Sequence, residues 1–210
     1  MRTKRATVAG ILLVTGVALP AFALPGEKRT WDFEGEASGR IARGFTGEAG
    51  DWKVITVDKG QALAQLGKSP GPTFNVALVE DPAAKDVVLS VRMEAVAGEI
   101  DQGGGLVWRA KDAKNYYVAR YNPLEENYRL YTVVDGERTM LRSVDIKRTE
   151  GWHRLVVMMR GDQIECFYDG QSVLEVKDTT FPGPGKVGLW TKADAQTHFD
   201  NLTVETFTTN

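Results

Sequence analysis

The chain has 210 residues, 26 of them basic and 28 acidic, for a formal charge of −2, and it carries one cysteine and two histidines. No basic block stands out, which excludes the electrostatic footprint of a nucleic-acid binder. A single Cys166 excludes an intramolecular disulfide, and two histidines without clustered cysteines argue against a zinc site.

In chain order, Arg2, Lys4 and Arg5 precede an apolar stretch over residues 6–19 and then Ala21-Phe22-Ala23. These are the basic region, apolar region and small-x-small site of a secretory signal peptide cut after Ala23. Gly10, Gly16 and Pro20 interrupt the stretch, which is short for a membrane span of about 20 residues. No cysteine lies near the cut to take a lipid, so the sequence predicts export to the periplasm or the extracellular space. Removing residues 1–23 leaves 187 residues with 23 basic against 28 acidic side chains, a net charge of −5. That length suits one domain with a sizeable core. Residues 24–29 read as a short tether and residues 30–207 as the single folded unit.

Strand-like runs then recur at residues 52–57, 62–66, 74–79 and 86–95, and again at 140–144, 152–160, 163–168, 171–176, 186–192 and 198–204. Asp135-Gly136, Gly161-Asp162 and Asp169-Gly170 supply hairpin chemistry. With no helical period of useful length, the pattern predicts an all-β antiparallel domain. The long apolar runs 86–95 and 152–160 are expected as central strands packed against a second sheet, which favours a two-sheet β-sandwich or jelly roll over a closed barrel.

Residues 103–134 are the most informative part. Gly103-Gly104-Gly105-Leu106-Val107-Trp108-Arg109, Asn115-Tyr116-Tyr117-Val118-Ala119-Arg120-Tyr121-Asn122 and Tyr128-Arg129-Leu130-Tyr131-Thr132-Val133-Val134 alternate apolar residues with arginines, tyrosines and amides. Period-2 alternation puts one set in a core and the other on the opposite face. Tyr117, Ala119 and Tyr121 form one set, and Tyr116, Val118, Arg120 and Asn122 the other. The Arg120 and Asn122 side is expected to face a groove, joined by Arg129 and Tyr131 from the next strand and by Trp190 and Lys192 near the C-terminus. Arg109 is a further candidate whose face depends on the local turn. Planar guanidinium and amide groups beside aromatic rings are what sugar hydroxyls and C–H faces need. The same residues are equally explained as the solvated outer face of a sheet, with the arginines paired to Glu125, Glu126 or Asp194.

These runs, with Gly151-Trp152-His153, Phe167-Tyr168-Asp169-Gly170, Gly185-Lys186-Val187-Gly188-Leu189-Trp190 and Phe199-Asp200-Asn201-Leu202, resemble the concanavalin A-like lectin/glucanase superfamily. Within it, the chain is similar to the 3-keto-disaccharide hydrolase-like domains of exported bacterial proteins, themselves similar to laminin G modules. The resemblance spans roughly residues 30–205 and implies a jelly roll whose concave face or rim binds carbohydrate. It assigns no catalytic residues here. Endoglucanases of that superfamily use a Glu-x-Asp-x-x-Glu strand, but after Glu99 and Asp101 this chain has Gln102, Gly103 and Gly104, so the second glutamate is missing and a turn or rim role is expected. His198 has no nucleophile near it in sequence, and Cys166 reads as a buried structural thiol. No cofactor is expected. A structural calcium near Asp32, Asp200 and Asn201 would require the first and last strands to pair. Three readings follow: saccharide binding on the concave face, hydrolysis of an oxidised (3-keto) disaccharide, and a laminin G-type adhesion module that docks a protein on its rim.

Overall fold

The computed structural model describes residues 24–208; the leader read from residues 1–23 lies outside the described residues. Fifteen strands make up the described chain: β1 Leu24–Trp31, β2 Phe45–Ala49, β3 Trp52–Val57, β4 Gly60–Gln65, β5 Phe74–Val79, β6 Val87–Ala97, β7 Gly104–Asp112, β8 Asn115–Asn122, β9 Asn127–Val134, β10 Glu137–Asp145, β11 Trp152–Arg160, β12 Gln163–Tyr168, β13 Gln171–Lys177, β14 Lys186–Lys192 and β15 Gln196–Thr208. They form two sheets. One runs β13-β12-β11-β6-β15-β4-β3 with β1 added on β15, and the other runs β10-β9-β8-β7-β14-β5-β2. Every ladder is antiparallel. The predicted sandwich is therefore the observed architecture.

The core lies between the sheets because the alternation of each strand points one apolar set inward. Leu89, Val91 and Met93 of β6 and Leu155, Val157 and Met159 of β11 meet Leu106 and Trp108 of β7 and Tyr117, Ala119 and Tyr121 of β8. The Trp108 ring stacks on Tyr117 at 5.5 Å, and its indole N–H points at Met159 Sδ, 3.0 Å away. Burying each such side chain stabilises the fold by about 1.5–3 kcal/mol. As expected, β6 and β11 are adjacent and interior to their sheet. Asp135-Gly136 and Asp169-Gly170 hold positive φ at both residues, the requirement of a tight type I′ hairpin.

Two segments differ from the sequence reading. Residues 24–29, expected as a tether, belong to β1, which pairs along β15 from Leu24 opposite Thr208 to Trp31 opposite Leu202. Backbone pairing needs no apolar alternation, which is why Pro25, Gly26 and the charged run after them gave no strand signal. Strand β2, with sequence Phe-Thr-Gly-Glu-Ala, was equally silent, since one aromatic residue anchors it against β5.

Arg109 leaves the alternation. A bulge shifts the β7–β8 register after Trp108, and Arg109 sits at a φ of 47°. Its side chain, 1% exposed, turns to the end of the sandwich. There Nε donates to Lys85 O at 2.8 Å, Nη1 to Phe181 O at 2.8 Å, and Nη2 to Gly161 O at 2.7 Å and to Asp86 Oδ1 at 3.3 Å. One guanidinium thus ties three connections between strands. Replacing it strands buried carbonyls and a carboxylate, for which about 3–5 kcal/mol is the usual loss. Arg109→Met is expected to lower the urea midpoint accordingly with an unchanged m value.

Candidate functional site

The seven-stranded sheet is apolar on both faces. Opposite the main core, Val76 and Leu78 of β5, Val107 of β7, Tyr116 and Val118 of β8, Tyr131 and Val133 of β9 and Trp190 of β14 form a second buried cluster, with Phe74 packed against it. The register explains the grouping: Arg120 stands opposite Gly105 on one side and Arg129 on the other, and Gly105 stands opposite Trp190. Gly105 must be glycine, because a Cβ there would collide with the Ala119 carbonyl oxygen.

Aromatic residues and one arginine make the first half of the site. Phe74 tilts onto Trp190 at 5.5 Å, and the Trp190 indole N–H donates to Tyr116 Oη at 3.2 Å. Burial holds the Tyr116 hydroxyl well above its ordinary titration range. Arg138, from the edge strand β10, lays its guanidinium 4.3 Å from the Tyr131 ring centre, 5.4 Å from Phe74 and 5.8 Å from Trp190.

Charged residues make the second half. Arg120 Nη1 donates to Asn127 Oδ1 at 2.9 Å and Nη2 to Glu125 Oε2 at 2.8 Å, and Arg129 Nη1 donates to the same Glu125 oxygen at 2.8 Å. Asp101 accepts from Asn122 Nδ2 at 2.8 Å and from Lys192 Nζ at 3.1 Å. Arg120, Asn122 and Asp101 are buried, whereas the side chains of Lys192, Arg129 and Glu125 are 21%, 31% and 39% exposed and form the reachable rim. Burial raises the Asp101 carboxyl above its ordinary value although the Arg120 and Lys192 charges pull it down. Glu125 goes the other way: burial alone would raise it, but the hydrogen bond and charge of Arg120, with Asn127 and Arg129, hold it below.

Six of the seven sequence candidates, Arg120, Asn122, Arg129, Tyr131, Trp190 and Lys192, therefore share one face, and Arg109 lies apart at the sandwich end. The bland alternative is realised in part, since Arg120 and Arg129 do pair with Glu125. Two donors nevertheless stay free: Arg120 Nε and Arg138 Nη1 are buried and find no hydrogen-bond partner among the described residues. A native protein rarely leaves such groups unpaired, so each calls for an acceptor, either a bound water or a ligand oxygen. Arg138 escaped the sequence reading. Its signal was available in the register, since a two-residue hairpin after Val134 places Arg138 opposite Val133, on the Tyr131 face.

Glu99 and Asp101 part company. Glu99 is exposed on the loop before β7, whereas Asp101 is buried in the polar half of the site. Asp194, weighed as a partner for arginine, instead accepts the backbone N–H groups of Glu99, Ile100 and Asp101 at 2.8–3.0 Å and so fixes that loop. His153 is bonded to Asp169 at 2.8 Å and Thr149 at 3.1 Å, a buried tie between β11 and the β12–β13 turn. Burial pushes the Cys166 thiol up to about 12. The first and last strands do pair, but Asp32 is engaged by Glu34 N and Asp200 by Asn201 and Arg92. Among the described residues no group of three His, Cys, Asp or Glu side chains is placed to hold a metal ion.

The profile of the family described as "Galactocerebrosidase, C-terminal lectin domain" matches residues 78–207. Among solved structures, the chain is similar to the carbohydrate-binding module CBM66 from Bacillus subtilis, at 22% identity and a TM-score of 0.66 over 81% of this chain and 99% of that one. A Bacillus subtilis protein of unknown function with a galectin-like fold aligns at 11% identity and a TM-score of 0.58, covering 79% of this chain and 90% of the other. An endo-β-1,3-glucanase from Pyrococcus furiosus aligns at 13% identity and a TM-score of 0.54, covering 87% and 94%. These likenesses are likenesses of fold. No curated protein sequence matches the chain.

The two carboxylates make opposite contributions to stability. Because the folded value of Glu125 is lowered, its stabilisation is present above the ordinary value of 4.5 and is lost as pH falls through the folded value. Asp101, raised above 3.8, costs stability when ionised and is relieved as pH falls through its own folded value. Carboxyl-carbon NMR should therefore find Asp101 titrating above and Glu125 below those references. Glu125→Gln should lose about 1 kcal/mol at neutral pH, after allowance for its exposure, and the gap from the parent should close on acidification. A gap that widens as pH falls would contradict this assignment.

Proposed function

Because the chain belongs to the family of the galactocerebrosidase C-terminal lectin domain, we propose that it binds a saccharide on the outer face of its seven-stranded sheet, the face taken as concave in the sequence reading. The observation that carries this is the pair of free guanidinium donors, Arg120 Nε and Arg138 Nη1, set among the rings of Tyr131, Trp190 and Phe74. A sugar presents what that face lacks: hydroxyl oxygens to accept from the two arginines, and a C–H face to replace the Arg138 guanidinium over Tyr131. Glu125 and Asp101 supply acceptors for sugar hydroxyls, and Arg129 and Lys192 supply donors at the rim. The name of the Bacillus subtilis carbohydrate-binding module supports this class of ligand. The leader read in residues 1–23 supports an exported location, where such ligands are met.

A second reading, hydrolysis of a 3-keto-disaccharide, is favoured by one specific pair. Asp101 has a raised carboxyl and lies 3.1 Å from the Lys192 ammonium. In that reaction an Asp101 oxygen takes the proton on the carbon between the keto group and the anomeric carbon. The resulting enolate oxygen faces Lys192, and its electrons expel the leaving sugar, whose oxygen takes the proton back from Asp101. Water then adds across the new double bond, its hydroxyl to the anomeric carbon and its proton to the neighbouring carbon.

Ligand-observed NMR with a panel of ordinary and 3-keto disaccharides separates these readings. Binding should broaden the sugar signals, and Arg138→Ala and Arg129→Ala should each weaken it by about tenfold, the worth of one charge-assisted hydrogen bond. Silence from every saccharide, or equal binding by both variants, would overturn the proposal. New sugar signals over hours that vanish in Asp101→Asn would establish the hydrolase.

A further inference from the structure

The opposite outer face of the sandwich carries a polar cleft of about 470 Å³ on the eight-stranded sheet. Strand alternation builds it. Val91 and Met93 of β6 and Phe199 of β15 point into the core, so Arg92, Glu94, His198 and Asp200 point outward. The register sets Trp152, Glu94 and His198 in one cross-strand row and Arg92 opposite Asp200 in the next. A bulge after Asp200, with Asn201 at a φ of 52°, ends the row, and Lys59 of the β3–β4 turn closes the cleft.

The cleft holds an aromatic wall and donors and acceptors of both signs. The Arg92 guanidinium lies 4.9 Å from the Trp152 ring centre and donates to Asp200 Oδ2 at 3.3 Å. Trp152 and Trp31 are the tryptophans that are not buried. Asp200, only 13% exposed, has its carboxyl raised by burial. His198 Nδ1 is buried with no hydrogen-bond partner among the described residues, since Glu94 Oε2, 3.4 Å away, is out of line. An orphaned ring nitrogen at the wall of an open cleft of ligand size calls for a small polar occupant.

We propose that this cleft is a second saccharide site, for a neutral, monosaccharide-sized polyhydroxylated unit. Neutrality follows from the wall. A carboxylate or phosphate would meet Asp58, Glu94 and Asp200, a cation would meet Arg92 and Lys59, and a neutral ligand of many hydroxyls satisfies both sets beside the Trp152 ring. The chain is then bivalent, with sites on opposite outer faces, and able to bridge two glycan segments. The inference shares the ligand class of the proposed function but none of its residues.

The test follows the Trp152 indole N–H by two-dimensional NMR during titration of the protein with glucose, galactose, mannose and fructose, with glucuronate as the charged comparison. A saturable shift with at least one neutral sugar is expected, unchanged in Arg129→Ala and weakened at least tenfold in both Glu94→Gln and Arg92→Gln. Both substitutions are at partly exposed positions, so an unperturbed spectrum elsewhere verifies the fold. An indole signal that no neutral sugar moves, tighter binding of glucuronate, or equal shifts in both variants would overturn the site. A Trp152 shift that persists in both cleft variants, while ligand-observed binding still falls in Arg129→Ala, would leave the proposed function standing and remove this site. Ligand-observed binding unchanged in Arg129→Ala and Arg138→Ala, with the Trp152 shift lost in both cleft variants, would do the reverse.

Discussion

Two arginines opposite each other on neighbouring strands set the terms for the seven-stranded sheet. Arg120 and Arg129 are a directly paired couple in the β8–β9 ladder, an arrangement that repels unless something stands between them. Glu125, from the turn joining the same two strands, does so by accepting from both at 2.8 Å. The hairpin thereby carries its own counter-charge, and its register is locked. A slip of one residue would send Arg120 and Arg129 into the core and Tyr117, Tyr121 and Leu130 to the outside. The Trp108–Tyr117 stack and the outer aromatic cluster are therefore two consequences of one register.

The faces of the strands were legible in the sequence because their residues alternate, which is how the six groove candidates fell on one face. Three features were not legible. Arg109 follows Trp108 in the strand, and only the bulge, which no residue type announces, turns it to the sandwich end. Asp101 looked like a turn acid beside Gly98, because its partners Asn122 and Lys192 are 21 and 91 residues away. Strand β1 is written in backbone hydrogen bonds to β15, and side-chain periodicity cannot register those. What the sequence conveys is which residues share a face within a strand. Which strands meet, and where a bulge breaks the count, are decided by long-range pairing.

The comparison of arginines separates structure from function more sharply than burial does. Arg109, Arg120 and Arg138 all hold buried guanidinium atoms. Every nitrogen of Arg109 donates to a fixed acceptor, and three of the four acceptors are backbone carbonyls. Arg120 and Arg138 each keep one buried nitrogen unpaired among the described residues, against aromatic rings. An unmade charge-assisted hydrogen bond costs about 1–3 kcal/mol. A fold with two such donors on one face recovers that cost from an ordered water or from an acceptor on a ligand.

The same reasoning joins the two outer faces. A sandwich buries only the inner side of each sheet, so each outer side must be made soluble by polar residues or be given a use. On the seven-stranded sheet the outer side is largely apolar and is crossed by Arg138. On the eight-stranded sheet it is charged and crossed by Arg92 over Trp152. Both solutions place a guanidinium on an aromatic ring and leave a neighbouring donor or ring nitrogen unpaired. Two sheets of unlike sequence have arrived at the same local chemistry, which solvation alone does not require, because a solvated face needs neither the ring nor the orphaned nitrogen. The two proposed saccharide sites would use both.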